Sequence, residues 1–311
     1  MSPAGFAVVM FSDIKVDSER CTLTYLDGGI FIALNALTSL IGTFGNIFVC
    51  VTILLTPSLR VISNFCIVNL ALADLMVTIV TQPLAISIIV GKLGGTCYVR
   101  AEHAARFIGI LSCTMSILTL ATMSIDRCCA ILKPMTYKAS VTPALLKSIL
   151  IFCWFFCFIG PVLDAFVENK LVYIYYILSW IVVLYTVVII SYSAIFMTVK
   201  NQNSLRQREL QHHQAANREK DKRLAKTIAL VIGFFTMFWV PFGCHIAKNP
   251  NKNYGVGYIA CVTASFANSA NNPIIYFYRN KGFREALKRI LNIQCLNRNR
   301  VFPLRRERKK L

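Results

Sequence analysis

Residues Asn64–Val90 read NFCIVNLALADLMVTIVTQPLAISIIV. The run is apolar enough, and long enough, to cross a hydrocarbon core as a helix, which takes roughly 20 residues. One carboxylate, Asp74, sits near its middle. An ionisable group at that depth is costly to bury, so it reads as functional before it reads as packing. Six more stretches have similar length and polarity: Gly29–Leu55, Glu102–Leu132, Ala144–Leu163, Val172–Val199, Leu224–Ala247 and Tyr254–Tyr278. The expected fold is all-α, a seven-transmembrane helix bundle.

Composition agrees. Of 311 residues 56% are hydrophobic and only 15% charged, below the quarter usual in soluble domains. Disordered, collagen-like and soluble nucleic-acid-binding chains are excluded on those figures. Lys281–Ile293 is too short and too charged to span. Phe283, Ala286, Leu287, Ile290 and Leu291 repeat there at helical spacing, with Arg284, Lys288 and Arg289 between them. This predicts an amphipathic eighth helix lying on the membrane surface. The chain then divides into an outer segment (1–28), a seven-helix domain (29–278), and an inner helix with a basic tail (279–311). Met1–Met10 lacks the basic start and cleavage site of a signal peptide, and none is expected.

The net charge of +19 is a topology signal. With the N-terminus outside, inner loops and tail hold 25 of the 33 Lys and Arg, as the positive-inside rule requires. Such a face attracts anionic lipid and removes the need for a nucleic-acid partner.

Asn46, Ser116, Asn268, Ser269 and Asn272 lie at depths comparable with Asp74. A carboxylate among carboxamides and hydroxyls suits a small hard cation such as Na⁺, or a protonated Asp in a hydrogen-bond network. The plainer reading is a polar knot that glues helices. Asp126-Arg127 closes the inner end of span three, and Asp221 stands at the inner start of span six. These charges are either solvated or form an Arg127–Asp221 latch between helix ends. Trp239-Val-Pro241 and Asn272-Pro273-Ile-Ile-Tyr276 place prolines in spans six and seven, where they act as hinges or as ordinary membrane-helix prolines.

Taken in order, Gly45-Asn46, Leu70-Ala-Leu-Ala-Asp74, Asp126-Arg127-Cys128, Trp154, Phe235 with Trp239-Val-Pro241, and Asn272-Pro273-Ile-Ile-Tyr276 resemble the rhodopsin-like (class A) G-protein-coupled receptors. The resemblance runs from about Gly29 to Ile293. It implies that Asp74, Ser116, Asn268, Ser269 and Asn272 form a sodium pocket, and that Arg127 meets a heterotrimeric G protein once released from Asp126 and Asp221. It also implies a transmission switch of Ile117, Phe235 and Trp239, with Tyr192 and Tyr276 swinging in to hold the active state. Pro134 and Met135 match the second inner loop that docks on Gα.

The departures narrow the resemblance. The third motif residue is Cys128 where Tyr is usual. Glu102 occupies the family's cysteine position at the outer end of span three, and the second outer loop, about Asp164–Leu171, has no Cys. Span five has Leu184 in place of its usual Pro. These absences resemble the melanocortin receptors, and in part the lysophospholipid and cannabinoid branch. Cys21, Cys97, Cys244 and Cys261 are the thiols expected near the outer side. They allow one or two bridges, Cys21 to Cys261 among them, with connectivity open. Cys295 is either a palmitoylation site or a free thiol.

The amine-pairing Asp of monoamine receptors is here Gly109, and the retinal Lys of opsins is Phe266, so both ligand classes are disfavoured. Glu102 and Arg106 are spaced i,i+4. They either pair with each other at the surface or anchor a ligand, Arg106 an acid and Glu102 an amine. Gly109, Ile110, Cys113 and Thr114 would line the floor, with Trp239, Phe242, His245 and Phe266 opposite. That pocket, apolar with a few ionic groups, suits a lipid acid or a small peptide.

A transporter also buries carboxylates and breaks helices, but it would show internal repeats, and none is found. An enzyme would need converging Ser–His, paired Asp or spaced metal ligands, which the spans lack. No Ser or Thr occurs from Arg279 to Leu311, so arrestin recruitment is expected to be weak or to use inner-loop sites such as Ser204. No glycosylation acceptor precedes the first span.

Overall fold

The computed structural model describes residues 23–167, 170–202, 212–248 and 255–300. Seven long helical spans follow in order: Tyr25–Leu55, Ile62–Leu93, Val99–Leu132, Pro143–Phe166, Lys170–Gln202, His212–Lys248 and Val256–Arg279. "Outer" and "inner" below follow the orientation expected from the basic residues. The second inner loop carries a short helix, Pro134–Ser140, and a terminal helix runs Lys281–Arg300. Six spans are apolar enough to cross a membrane on composition alone. The seventh is more polar, because Asn268, Ser269, Asn271 and Asn272 fall on one stretch of it. It belongs to the bundle because most of those groups are buried against neighbours.

Local chemistry explains the helix ends. Thr24 caps span one by accepting from the Asp27 amide at 3.2 Å, and Thr142 caps span four by accepting from Leu145 at 3.2 Å. In span two, Val77–Thr81 widens into a π-turn ahead of Pro83, which absorbs the lost amide and the ring clash of that proline. Span four breaks at Phe158, just before Gly160-Pro161.

Three details differ from the expected boundaries. Span six is helical from His212, twelve residues earlier than hydropathy suggested. Asp164 sits inside the helical end of span four, which leaves the second outer loop even shorter. The terminal helix extends to Arg300.

Lipid-facing positions keep large apolar side chains outward, such as Phe152, Phe155 and Phe196. The interior packs Val49, Ile53, Leu70, Leu120, Ile228 and Phe235 into one core. Spans one and seven approach closely at Gly45, where an added Cβ would lie 2.8 Å from Pro273 Cβ. The turn into the terminal helix is held by Arg284, which donates to the carbonyls of Phe277, at 2.9 Å, and Tyr278. Phe283 is buried beneath Tyr276 and Phe277.

Candidate functional site: a polar core joined to an inner ionic cluster

Asp74 is buried and accepts from Asn272 Nδ2 at 2.8 Å, with the Ser269 hydroxyl beside it. Asn46 donates to the Ser269 carbonyl at 3.1 Å and to Gly42 at 2.9 Å. Helical spacing on span seven puts Asn268, Ser269 and Asn272 on the face that meets spans one and two. The carbonyl oxygens of Asn268 and Asn272 are buried without a hydrogen-bond partner. Leaving such groups unmet costs about 1–3 kcal/mol each. The donor set of this cluster is all oxygen: the Asp74 carboxylate, the open carboxamide oxygens of Asn46, Asn268 and Asn272, and the Ser269 hydroxyl. It fits a hard monovalent cation and lacks the nitrogen and sulfur ligands a transition metal prefers.

Just above lies a small cavity. Its wall combines Gly109, Cys113 and Phe266 with Phe235 and Trp239, and with Ser116, Asn268 and Ser269. Residues read from the sequence as ligand pocket, transmission switch and sodium pocket therefore border one space. Ser112 and Ser265 also line it and were missed. The usable signal was their helical spacing from Ser116 and Ser269. Ile110 and Thr114 face Gly160 of span four instead.

An aromatic series climbs from this chamber. Phe235 stacks on Trp239 at 5.7 Å, Trp239 meets Phe242 edge-on at 5.8 Å, and Tyr258 contacts both Phe242 and His245. Tyr258 was not anticipated. Ile117 is buried below, in the same core as Phe235. Pro241 is carried inside span six and Pro273 inside span seven.

At the outer rim the expected Glu102–Arg106 pair is replaced. Glu102 binds Lys92 of span two at 3.4 Å, and Arg106 binds Asp164 of span four at 3.9 Å. Lys92 is 4% exposed, and nothing in the sequence marked it. Cys97 is disulfide-bonded whereas Cys244 and Cys261 are free, so a Cys21–Cys261 bridge does not form.

At the inner end Arg127 Nε donates to Asp126 at 2.9 Å, and its terminal nitrogen reaches Asp126 and Ser63. Ser63 donates to Asp126 at 3.0 Å, and Tyr137, from the second inner loop, donates to the same carboxylate at 2.6 Å. Burial and the neighbouring Asp126 carboxylate push the Tyr137 phenol up, so it remains a proton donor at neutral pH. Ser63 and Tyr137 were both missed. Met135, one residue past Pro134, is 81% exposed. The side chains of Asp221 and Cys295, and the whole of Cys21 and Ser204, lie outside the described residues.

An all-helical bundle with a buried carboxylate and an arginine cluster at its inner mouth is the plan of a seven-transmembrane receptor. Residues 45–276 match the seven-transmembrane receptors of the rhodopsin family. The chain belongs to that family: it is a multi-pass membrane receptor and not an enzyme. Adenosine receptor A2a of Homo sapiens is 26% identical over 321 residues, covering 89% of this chain and 76% of that receptor. Adenosine receptor A2b of Rattus norvegicus is 28% identical over 305 residues, covering 85% and 90%.

Proposed function

We propose that the protein is a plasma-membrane receptor, N-terminus outside, that passes binding of an extracellular ligand to a heterotrimeric G protein. The observation that carries this reading is the small cavity whose wall runs from Phe235 and Trp239 to Ser116, Asn268 and Ser269 beside Asp74. A ligand there biases a pre-existing equilibrium between closed and open inner mouths. Span six turns about Pro241, Arg127 leaves Asp126, and Pro134 and Met135 receive Gα. A bound Na⁺ would be held by Asp74, Asn268 and Asn272 with Ser116 and Ser269, supplying a positive charge that favours the closed state.

For the ligand, the uncharged lining of the cavity and the names of the relatives support a neutral polar ring compound of the nucleoside class. Ser112, Ser265 and Asn268 offer uncharged hydrogen bonds against aromatic walls, and the relatives are adenosine receptors by name. A lipid acid or a small peptide is the second reading. Arg106 and Glu102 would serve it, but each already holds an ion partner that a charged ligand must displace. The deciding experiment is G-protein dissociation in cells exposed to nucleosides, lysophospholipids and short peptides. A response confined to acids or peptides would reverse the order.

If Arg127 and Asp221 form a latch, Asp221→Ala is expected to raise ligand-free signalling several-fold at equal surface expression, because closing loses an ion pair worth about 1 kcal/mol or more. Unchanged basal nucleotide exchange would remove Asp221 from the mechanism.

A further inference from the structure

Span six is held at its inner end from both sides. From span five, the Tyr192 hydroxyl donates to the Ala225 carbonyl at 3.0 Å. From span seven, Arg279 Nε donates to the Thr227 hydroxyl at 3.2 Å. The Thr227 hydroxyl donates to the Arg223 carbonyl at 2.9 Å, which leaves a lone pair to accept from Arg279. Ala225 and Thr227 are both buried, two residues apart on the same turn. Tyr276, the expected active-state companion of Tyr192, keeps its buried hydroxyl without a hydrogen-bond partner and packs its ring on Phe283. The two tyrosines are therefore not bonded to each other, as the receptor reading expects of a closed inner mouth.

We propose that Tyr192–Ala225 and Arg279–Thr227 form a closed-state clamp on span six, made of bonds other than those within the neighbouring Asp126–Arg127 cluster. The inference rests on the receptor reading, in which span six moves outward. Outward movement carries Ala225 and Thr227 away from both partners at once. Tyr192 then has a role in each state: it pins span six until the carbonyl is withdrawn, and the freed hydroxyl becomes available to Tyr276. Arg279, on the surface of span seven, makes the closed state depend on the register of spans six and seven. A single hydrogen bond of this kind shifts a two-state population by roughly two- to fivefold.

The test uses the full chain in lipid nanodiscs without agonist. A polarity-sensitive fluorophore is placed at Lys226→Cys and read against the parent labelled the same way. Thr227→Val and Arg279→Gln are each expected to raise the open, solvent-exposed fraction by roughly threefold. The double variant should rise no further, since one bond is lost only once. Thr227→Ser should behave as the parent. Tyr192→Phe should add to Thr227→Val, because its bond is independent. Spectra that match the parent in Thr227→Val and Arg279→Gln, or a double variant equal to the product of the singles, would overturn the clamp. The receptor reading fails separately, if a panel of nucleotide-free heterotrimeric G proteins leaves the parent spectrum unmoved. Should Thr227→Val fold poorly, the exposed Arg279→Gln carries the decision.

Discussion

Thermal unfolding of the ligand-free protein is expected to move upward when Na⁺ replaces choline, and Asp74→Asn is expected to abolish that movement. The carboxylate is buried and meets one carboxamide hydrogen at 2.8 Å, with the Ser269 hydroxyl beside it, while the carboxamide oxygens of Asn46, Asn268 and Asn272 are unmet. A cation would neutralise the charge and fill those acceptors together. With sodium at about ten times its dissociation constant, the gain is about 1.4 kcal/mol. Asn keeps the shape and removes the charge, so the variant should also be the more stable of the two in choline, where the parent buries a carboxylate with hydrogen bonds but no counter-charge. A sodium shift that survives in Asp74→Asn would place the ion elsewhere.

A larger loss is expected from Gly45→Val. The first atom of any side chain there meets the Pro273 ring at 2.8 and 2.9 Å, and a proline ring cannot rotate away. Span one must then retreat from span seven, pulling Asn46 off the Ser269 carbonyl and opening one wall of the Asp74 pocket. Overpacking of this severity costs about 3 kcal/mol. Gly29→Ala, with nothing within 4 Å of the added atom, is the control and should unfold with the parent. Equal unfolding midpoints for the two variants would show that the helices are not in close approach.

Much of the site was legible because membrane burial makes polar residues conspicuous. Asp74, Asn46, Asn268 and Asn272 stand out in apolar runs, and their helical spacing already puts them on inward faces. Ser63, Ser112 and Ser265 did not stand out, since a Ser or Thr hydroxyl in a helix can satisfy itself on the preceding turn, as Thr119 and Ser124 do here. Lys92 was concealed for a different reason. It lies at the end of its span, where a lysine normally reaches for water, and only the placement of Glu102 beside it makes it an interior group.

Periodicity and hydropathy alone settled the number of long helices, the depth of the carboxylate and the amphipathic character of Lys281–Ile293, because each depends on spacing along one helix. The partner of each polar group was decided by the bundle. Hydrogen bonds and ion pairs reach only about 3–4 Å, and the rotation of one span against the next moves a side chain by more than that. Glu102 thus turned from Arg106 to Lys92, and Tyr192 met the backbone of span six at Ala225.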